Sequence, residues 1–244
     1  MSGKKGRERY AKKEPANNGT KHRYRLKFTK SGPVRFIGHL DLLSLFTMAI
    51  KRAALPIAYS EGFNPHQLIS FALPLSLGYY SNGEYVDILL KTPLDCKEIV
   101  ESLNKNLPEG LLVTAAKLSE DALKSSASLV RACGYRVLLP PAHRVPLELA
   151  VSFINQDSIV ITKKTKKNTA LADILPDIFL FKPTEKEGFT EEVHMKISSG
   201  PERSIRADSV MKALFAFAET PYPEHGLTFI REEMYAEDDE ALIQ

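Results

Sequence analysis

VRFIGHLDLLSLFTMAIKRAALPIAYSEGFNPHQLISFALPLSLGYYSNGE, residues 34–84, decides how this chain is read. Within it, Leu42, Phe46, Ala49 and Ala53 recur at helical spacing, with Leu43, Ile50 and Ala54 beside them. The spacing predicts a helix over 41–55, capped by Asp41 and stopped by Pro56. A short strand is expected over 57–60, then a turn at Glu61-Gly62-Phe63-Asn64-Pro65. Residues 68–77 are apolar but interrupted by Pro74, which predicts an edge strand or an irregular ribbon. Ser81-Asn82-Gly83 reads as a second turn.

Outward from this block the pattern continues. Tyr24, Leu26 and Phe28 alternate with Arg25, Lys27 and Thr29, a half-buried strand broken by Ser31-Gly32-Pro33. Residues 84–91 alternate again, 95–107 predict a second helix with Ile99, Val100 and Leu103 inward, and 111–118 a further strand. The order is β-α-β-β-α-β, the signature of a ferredoxin-like half. A weaker version follows: strand 129–139, helix 146–155, strands 158–163, 178–181 and 192–197, helix 207–217 and strand 227–232. The expected fold class is therefore α+β, two tandem ferredoxin-like β-α-β-β-α-β sandwiches over 22–119 and 128–232. A disordered basic tail is expected over 1–21 and an acidic, solvated tail over 233–244.

A chain of 244 residues with 43% hydrophobic and 26% charged content has the composition of an ordinary globular protein. No apolar run approaches the roughly 18–20 residues that span a bilayer, and the basic N-terminus has no apolar signal core. Cys96 and Cys133 form no metal-binding spacing. These features predict a cytoplasmic protein. The net charge is only +3, but it is unevenly spread. Cations crowd the first 23 residues and the Lys163, Lys164, Lys166, Lys167 cluster, while acids collect near the C-terminus. Such asymmetry fits a polyanion-facing side or simply solvated surface charge.

No dinucleotide glycine fingerprint, Walker lysine loop, zinc-protease helix or three-cysteine cluster is present, so no cofactor of the chain's own is expected. Two polar segments can carry chemistry. In Arg35-Phe36-Ile37-Gly38-His39-Leu40-Asp41, His39 is expected just before the first helix, whose N-terminal dipole favours a neutral imidazole. A neutral ring there can act as general base towards a ribose hydroxyl, and Arg35 can grip phosphate. His39 and Asp41 can equally serve only the loop and the cap. In Tyr59-Ser60-Glu61-Gly62-Phe63-Asn64-Pro65-His66, Tyr59 and Phe63 can stack on unpaired bases, and His66 can pair with Glu84 or Asp41 or contact phosphate. The plainer alternative has Phe63 plugging the core and Asn64 closing the turn. Lys51 and Arg52, on the polar side of the helix, and the four clustered lysines complete the expected RNA- or anion-binding set.

The 35–84 block resembles the radical-SAM-linked domain family of uncharacterised function, a bacterial-type family. The likeness rests on Arg35 through Leu42, on Arg52-Ala53-Ala54-Leu55-Pro56, on Tyr59 through His66, on Ser70-Phe71-Ala72 with Pro74-Leu75 and Leu77-Gly78, and on Glu84. Lys166-Lys167 and Asp173-Ile174-Leu175-Pro176 extend it. The family often has Ser where Gly38 stands, Pro where Gln67 stands, and Arg where Ser44 or Thr47 stands, so the resemblance implies weaker phosphate binding by this helix face than in the family. The resemblance implies a stand-alone partner of a radical SAM protein, acting in RNA modification or metabolism. Two halves with a histidine after the first strand are also similar, in architecture, to the CRISPR repeat-processing endoribonucleases, which cut RNA without metal through the 2′-hydroxyl. The expected function is an RNA-binding accessory protein. The alternatives are a metal-independent endoribonuclease with catalytic His39, and a docking module that grips a radical SAM partner without nucleic acid.

Overall fold

In the computed structural model, which describes residues 21–119, 124–164, 169–237 and 239–243, the first predicted strand forms over His22–Lys30 (β1). Its inward Tyr24, Leu26 and Phe28 are buried, as the alternation requires. A 3-10 turn, Gly32–Phe36, leads into helix α1, His39–Arg52. Leu42, Phe46, Ala49 and Ile50 bury its apolar stripe. Gly38, not Asp41, is the N-cap, and no side chain caps the helix; Asp41 lies inside the first turn, where its charge suits the dipole. His39 is accordingly the first residue of the helix rather than a loop residue before it. At the other end Ala54 takes a left-handed φ of 52°, and Pro56 prevents continuation.

The predicted strand at 57–60 is reduced to isolated bridges, Ile57 to Leu90 and Tyr59 to Gln67, and the ribbon at 68–77 to Ile69–Phe71 (β2). Proline at 74 supplies no N–H for a ladder, so the strand stops short. Strand β3 runs from Tyr80 to Leu90, absorbing the turn expected at 81–83. Helix α2, Cys96–Asn104, is capped by Asp95, whose carboxylate accepts from the backbone N–H groups of Lys97 and Glu98. Strand β4, Leu111–Leu118, closes the first half.

A short helix, Ser126–Leu129 (α3), opens the second half. It is followed by Ala132–Leu138 (β5), Leu147–Ile154 (α4), the hairpin Val160–Lys164 (β6) and Thr169–Asp173 (β7), then Ile178–Lys186 (β8), Phe189–Ser198 (β9), Ala207–Phe217 (α5) and Thr228–Tyr235 (β10). The hairpin is a separate two-stranded sheet; β6 falls on the strand expected over 158–163, and β7 lies where no element was expected. The acidic tail expected from residue 233 instead begins as strand β10, and Leu242 beyond it is buried.

The protein is α+β, with one large mixed sheet ordered β4-β1-β3-β10-β5-β9-β8 and β2 paired to β3. Within each half all pairings are antiparallel: β4-β1-β3-β2 in the first and β10-β5-β9-β8 in the second. The halves share this sheet through a short parallel pairing, Tyr80 with Ile230 and Ser81 with Arg231. Gly83 makes the approach possible, because a Cβ there would lie 2.6 Å from the Glu232 carbonyl oxygen. Gly83→Ala is expected to cost roughly 1–3 kcal/mol of stability, since backbone rather than a yielding side chain stands in the way. A urea midpoint within error of wild type would refute it. Two buried clusters flank the junction, one around Phe28, Phe46 and Ile99 and one around Phe153, Met195 and Phe215. Among the described residues no helix is long and apolar enough to cross a membrane.

Candidate nucleic-acid interface

The loop after α1 is pinned at its base and open at its tip. Ser60 N–H donates to the His66 carbonyl at 2.8 Å, and His66 N–H donates back to Ser60 Oγ at 3.1 Å. Ser60 Oγ also lies 2.8 Å from His66 Nδ1. His66 thus pairs with Ser60, not with Glu84 or Asp41 as the sequence allowed. Gly62, at φ 112°, turns the chain where a side chain would be strained. Phe63 stands at the tip, 105% exposed, so it plugs no core. Asn64 is exposed beside it.

Cations gather at this end of the first half. Lys51 and Arg52 are exposed in the last turn of α1. Lys91 N–H donates to the Pro56 carbonyl at 2.7 Å, and its ammonium lies 5.8 Å from the centroid of the Tyr59 ring. Tyr59, Phe63, Asn64 and His66 thus share one loop, Lys51 and Arg52 end the helix a few residues before it, and Lys91, which sequence reading missed, lies by Tyr59 at its base. The sequence signal for Lys91 was its position as the last residue of a predicted strand.

Arg35 is elsewhere. It donates to the Tyr80 hydroxyl, and its guanidinium carbon lies 4.5 Å from the Phe36 centroid and 4.7 Å from the Tyr80 centroid. Tyr80 opens β3, whereas the Phe63 loop is tied to its far end, about 30 Å along the strand at ordinary rise. Arg35 lines a cleft of about 740 Å³ where the halves meet, together with Tyr80, Arg206, Lys212, Tyr222 and His225. His39 joins neither group. It is exposed, and its ring packs edge-on against Phe71 at 5.4 Å. Among the described residues no carboxylate hydrogen-bonds its imidazole to orient it as a base. Lys163 and Lys164 belong to β6, in register with Ala170 and Thr169. Lys166 and Lys167, like the basic segment 1–20, lie outside the described residues.

Under the junction lies a charge network that sequence reading did not find. Glu84 and Arg231 are 3% and 4% exposed, joined by two bonds of 3.1 and 3.3 Å. Arg231 also donates to the Tyr135 hydroxyl at 3.2 Å and to the Pro74 carbonyl at 3.0 Å. Burial pushes the Glu84 carboxyl above the ordinary carboxylate range, and Arg231 pulls it partly back. Nearby, Lys30 donates to the Ile37 carbonyl at 2.8 Å, and burial holds its ammonium below the usual lysine value. Asp87, wholly buried on β3, accepts from Arg25 at 3.1 Å and from the Ser126 backbone at 2.6 Å. A signal existed: alternation on the last predicted strand puts Arg231 on the same face as Phe229. The Glu84–Arg231 pair and the Asp87–Ser126 bond tie the two parts of the chain together. Glu233, expected in a solvated tail, accepts from Lys27 at 2.5 Å and from the Tyr85 hydroxyl at 2.7 Å.

Burial raises several phenols at this junction. Tyr222 is pushed up to about 12, and Tyr79, Tyr85 and Tyr135 further. A raised folded pKa contributes stability below the unfolded value of about 10, which is lost as pH climbs towards the folded value. At about pH 11 these phenols are expected to stay protonated while exposed tyrosines ionise, and stability is expected to fall progressively once pH rises above about 10. Phenolate absorbance that titrates all nine tyrosines in one step near the ordinary value would contradict this.

Fold and site together define a class: an α+β protein built on one large mixed sheet, with an exposed aromatic and cationic loop at one end and a polar cleft near its parallel join. Residues 23–207 match the family described as "Uncharacterized protein conserved in bacteria (DUF2344)", and the chain belongs to it. No curated protein matches. Among solved structures, a crystal structure of an unknown protein from Galdieria sulphuraria is similar at 14% identity over 87% of this chain and 98% of that one. Its TM-score of 0.25 is too low to carry an argument.

Proposed function

We propose that the protein is a cytoplasmic RNA-binding accessory protein that works with an RNA-processing or RNA-modifying enzyme, the radical SAM partner being the one implied by the sequence resemblance. One observation carries this reading: a wholly exposed phenyl ring, Phe63, on a pinned loop that follows the helix ending in Lys51 and Arg52 and has Lys91 beside Tyr59 at its base. An aromatic ring presented with cations is how unpaired bases are gripped without sequence readout. Lys163 and Lys164 on the hairpin add charge along the same chain.

The endoribonuclease alternative assigns catalysis to His39; its ring contact with Phe71 supplies no orienting partner for a base, so binding is the better supported activity. The test is affinity for a labelled single-stranded RNA as a function of salt. A log–log slope near zero would sink the reading, because phosphate contacts release counterions. In that event a partner protein captured through Phe63 becomes the alternative to pursue.

A further inference from the structure

The cleft at the join of the halves is separate from the Phe63 loop, and its chemistry is more specific. Its walls carry three cations, Arg35, Arg206 and Lys212, against two carboxylates, Asp208 and Glu224. Arg206 is held in a fork by Asp208 at 2.9 and 3.1 Å, and Lys212 bonds Glu224 at 3.2 Å. Arg35 pairs with no described carboxylate; one of its N–H groups serves Tyr80 and its plane is steadied by two aromatic rings. An arginine fork presented this way suits one phosphate, bidentately. The exposed ring of Phe36, at 62%, offers a face for a planar heterocycle, whereas the Tyr222 ring is already covered by the Lys212 ammonium, 4.9 Å from its centroid. The volume of about 740 Å³ lies within the range of roughly 300–1,000 Å³ that holds a small organic ligand.

We infer that this cleft binds a single nucleoside monophosphate unit, with its phosphate on Arg35 and its base against the aromatic wall. This deepens the RNA-binding reading and rests on it for one source of the unit, a nucleotide of an RNA strand; the other source is a free nucleoside monophosphate. A triphosphate fits poorly, because the remaining cations are already neutralised by Asp208 and Glu224.

The experiment is equilibrium dialysis of radiolabelled AMP, CMP, GMP and UMP, the matching nucleosides, ATP and a short single-stranded RNA against the full chain. Wild type, Arg35→Gln, Arg35→Lys, Tyr80→Phe and Phe63→Ala are compared, each checked for an unchanged melting curve. At least one monophosphate is expected to bind about tenfold more tightly than its nucleoside and than ATP. Arg35→Gln should lose about tenfold of that, Arg35→Lys should recover only part, and Phe63→Ala should leave it within about twofold. Displacement of the labelled monophosphate by the RNA assigns the unit to a strand; retention assigns it to a free nucleotide. Equal binding of nucleoside and monophosphate, or unchanged binding in both Arg35 variants, overturns the inference. Tyr80→Phe keeps the test open if the Arg35 variants fail to fold, since it removes one anchor of the guanidinium and leaves the ring; unchanged monophosphate affinity there also counts against it. RNA that binds wild type but is released only by Phe63→Ala removes the cleft and leaves the RNA reading intact. A wild type that binds monophosphate but no RNA does the reverse.

Discussion

Arg231→Met is expected to lower the unfolding free energy by about 3–5 kcal/mol, the usual cost of stranding one member of a buried ion pair. Against a total of roughly 5–15 kcal/mol, that is enough to leave the protein marginal at growth temperature. Arg231 holds Glu84 across the join at 3.1 Å and also satisfies Tyr135 and the Pro74 carbonyl. Its loss leaves a carboxylate that is 3% exposed without its guanidinium. Burial already pushes the Glu84 carboxyl upwards, and removing Arg231 removes the main opposing pull. The deficit should therefore shrink as pH falls towards about 4, where the carboxyl in the variant is protonated and needs no partner. Replacing both groups, Glu84→Leu with Arg231→Met, should recover most of the loss, because a packed apolar pair can match a buried ionic one. Urea unfolding at two pH values measures all three. A single variant within about 1 kcal/mol of wild type, or a deficit that grows on acidification, would show that the pair does not tie the halves.

Phe63→Ala should weaken single-stranded RNA binding by about 10- to 100-fold, the range for losing one stacked base. Stability should not change, because the ring is 105% exposed and buries nothing in the fold. That separation makes the variant a clean reporter. Replacing Lys51 and Arg52 with serine should act differently. It should weaken binding to all sequences alike and lower the salt slope by about 0.7 for each phosphate that is no longer neutralised. Unchanged affinity in both variants, with wild-type RNA binding intact, would move the interface away from this end of the first half.

Much of the fold was legible because its signals are local. The stripe Leu42, Phe46, Ala49 predicted α1, and Ile99, Val100 and Leu103 predicted α2. The Ala207–Phe217 helix coincides with its predicted bounds. Errors came where a local signal competes with a non-local one. Ser81-Asn82-Gly83 has turn chemistry, yet it lies in β3, because pairing with Lys30 and with β10 outweighs turn propensity. Glycine at 83 is needed there for the approach of the Glu232 backbone rather than for a turn. Asp41 has the chemistry of a cap, but α1 begins two residues earlier and leaves it inside the first turn.

The candidate site divides in the same way. Phe63, Asn64 and His66 were legible as a group because they are neighbours on one turn, and Lys51 and Arg52 because they end the adjoining helix. Arg35 was grouped with them by proximity in sequence, but the turn after β1 seats it against Tyr80 at the opposite end of β3, beside residues of α5 and the segment after it. Pattern along the chain was enough to say which residues are helical, which strand faces are buried and where unpaired aromatics and cations lie in one loop. Those depend on periodicity and turn chemistry within about ten residues. Three-dimensional packing was needed to establish that the halves share a sheet, that Glu84 meets Arg231, and that Arg35 faces Arg206 and Lys212 across a cleft. Those contacts join residues separated by well over a hundred positions, and strand pairing at that range is set by which edges remain unpaired once each half has formed, not by any pattern along the chain.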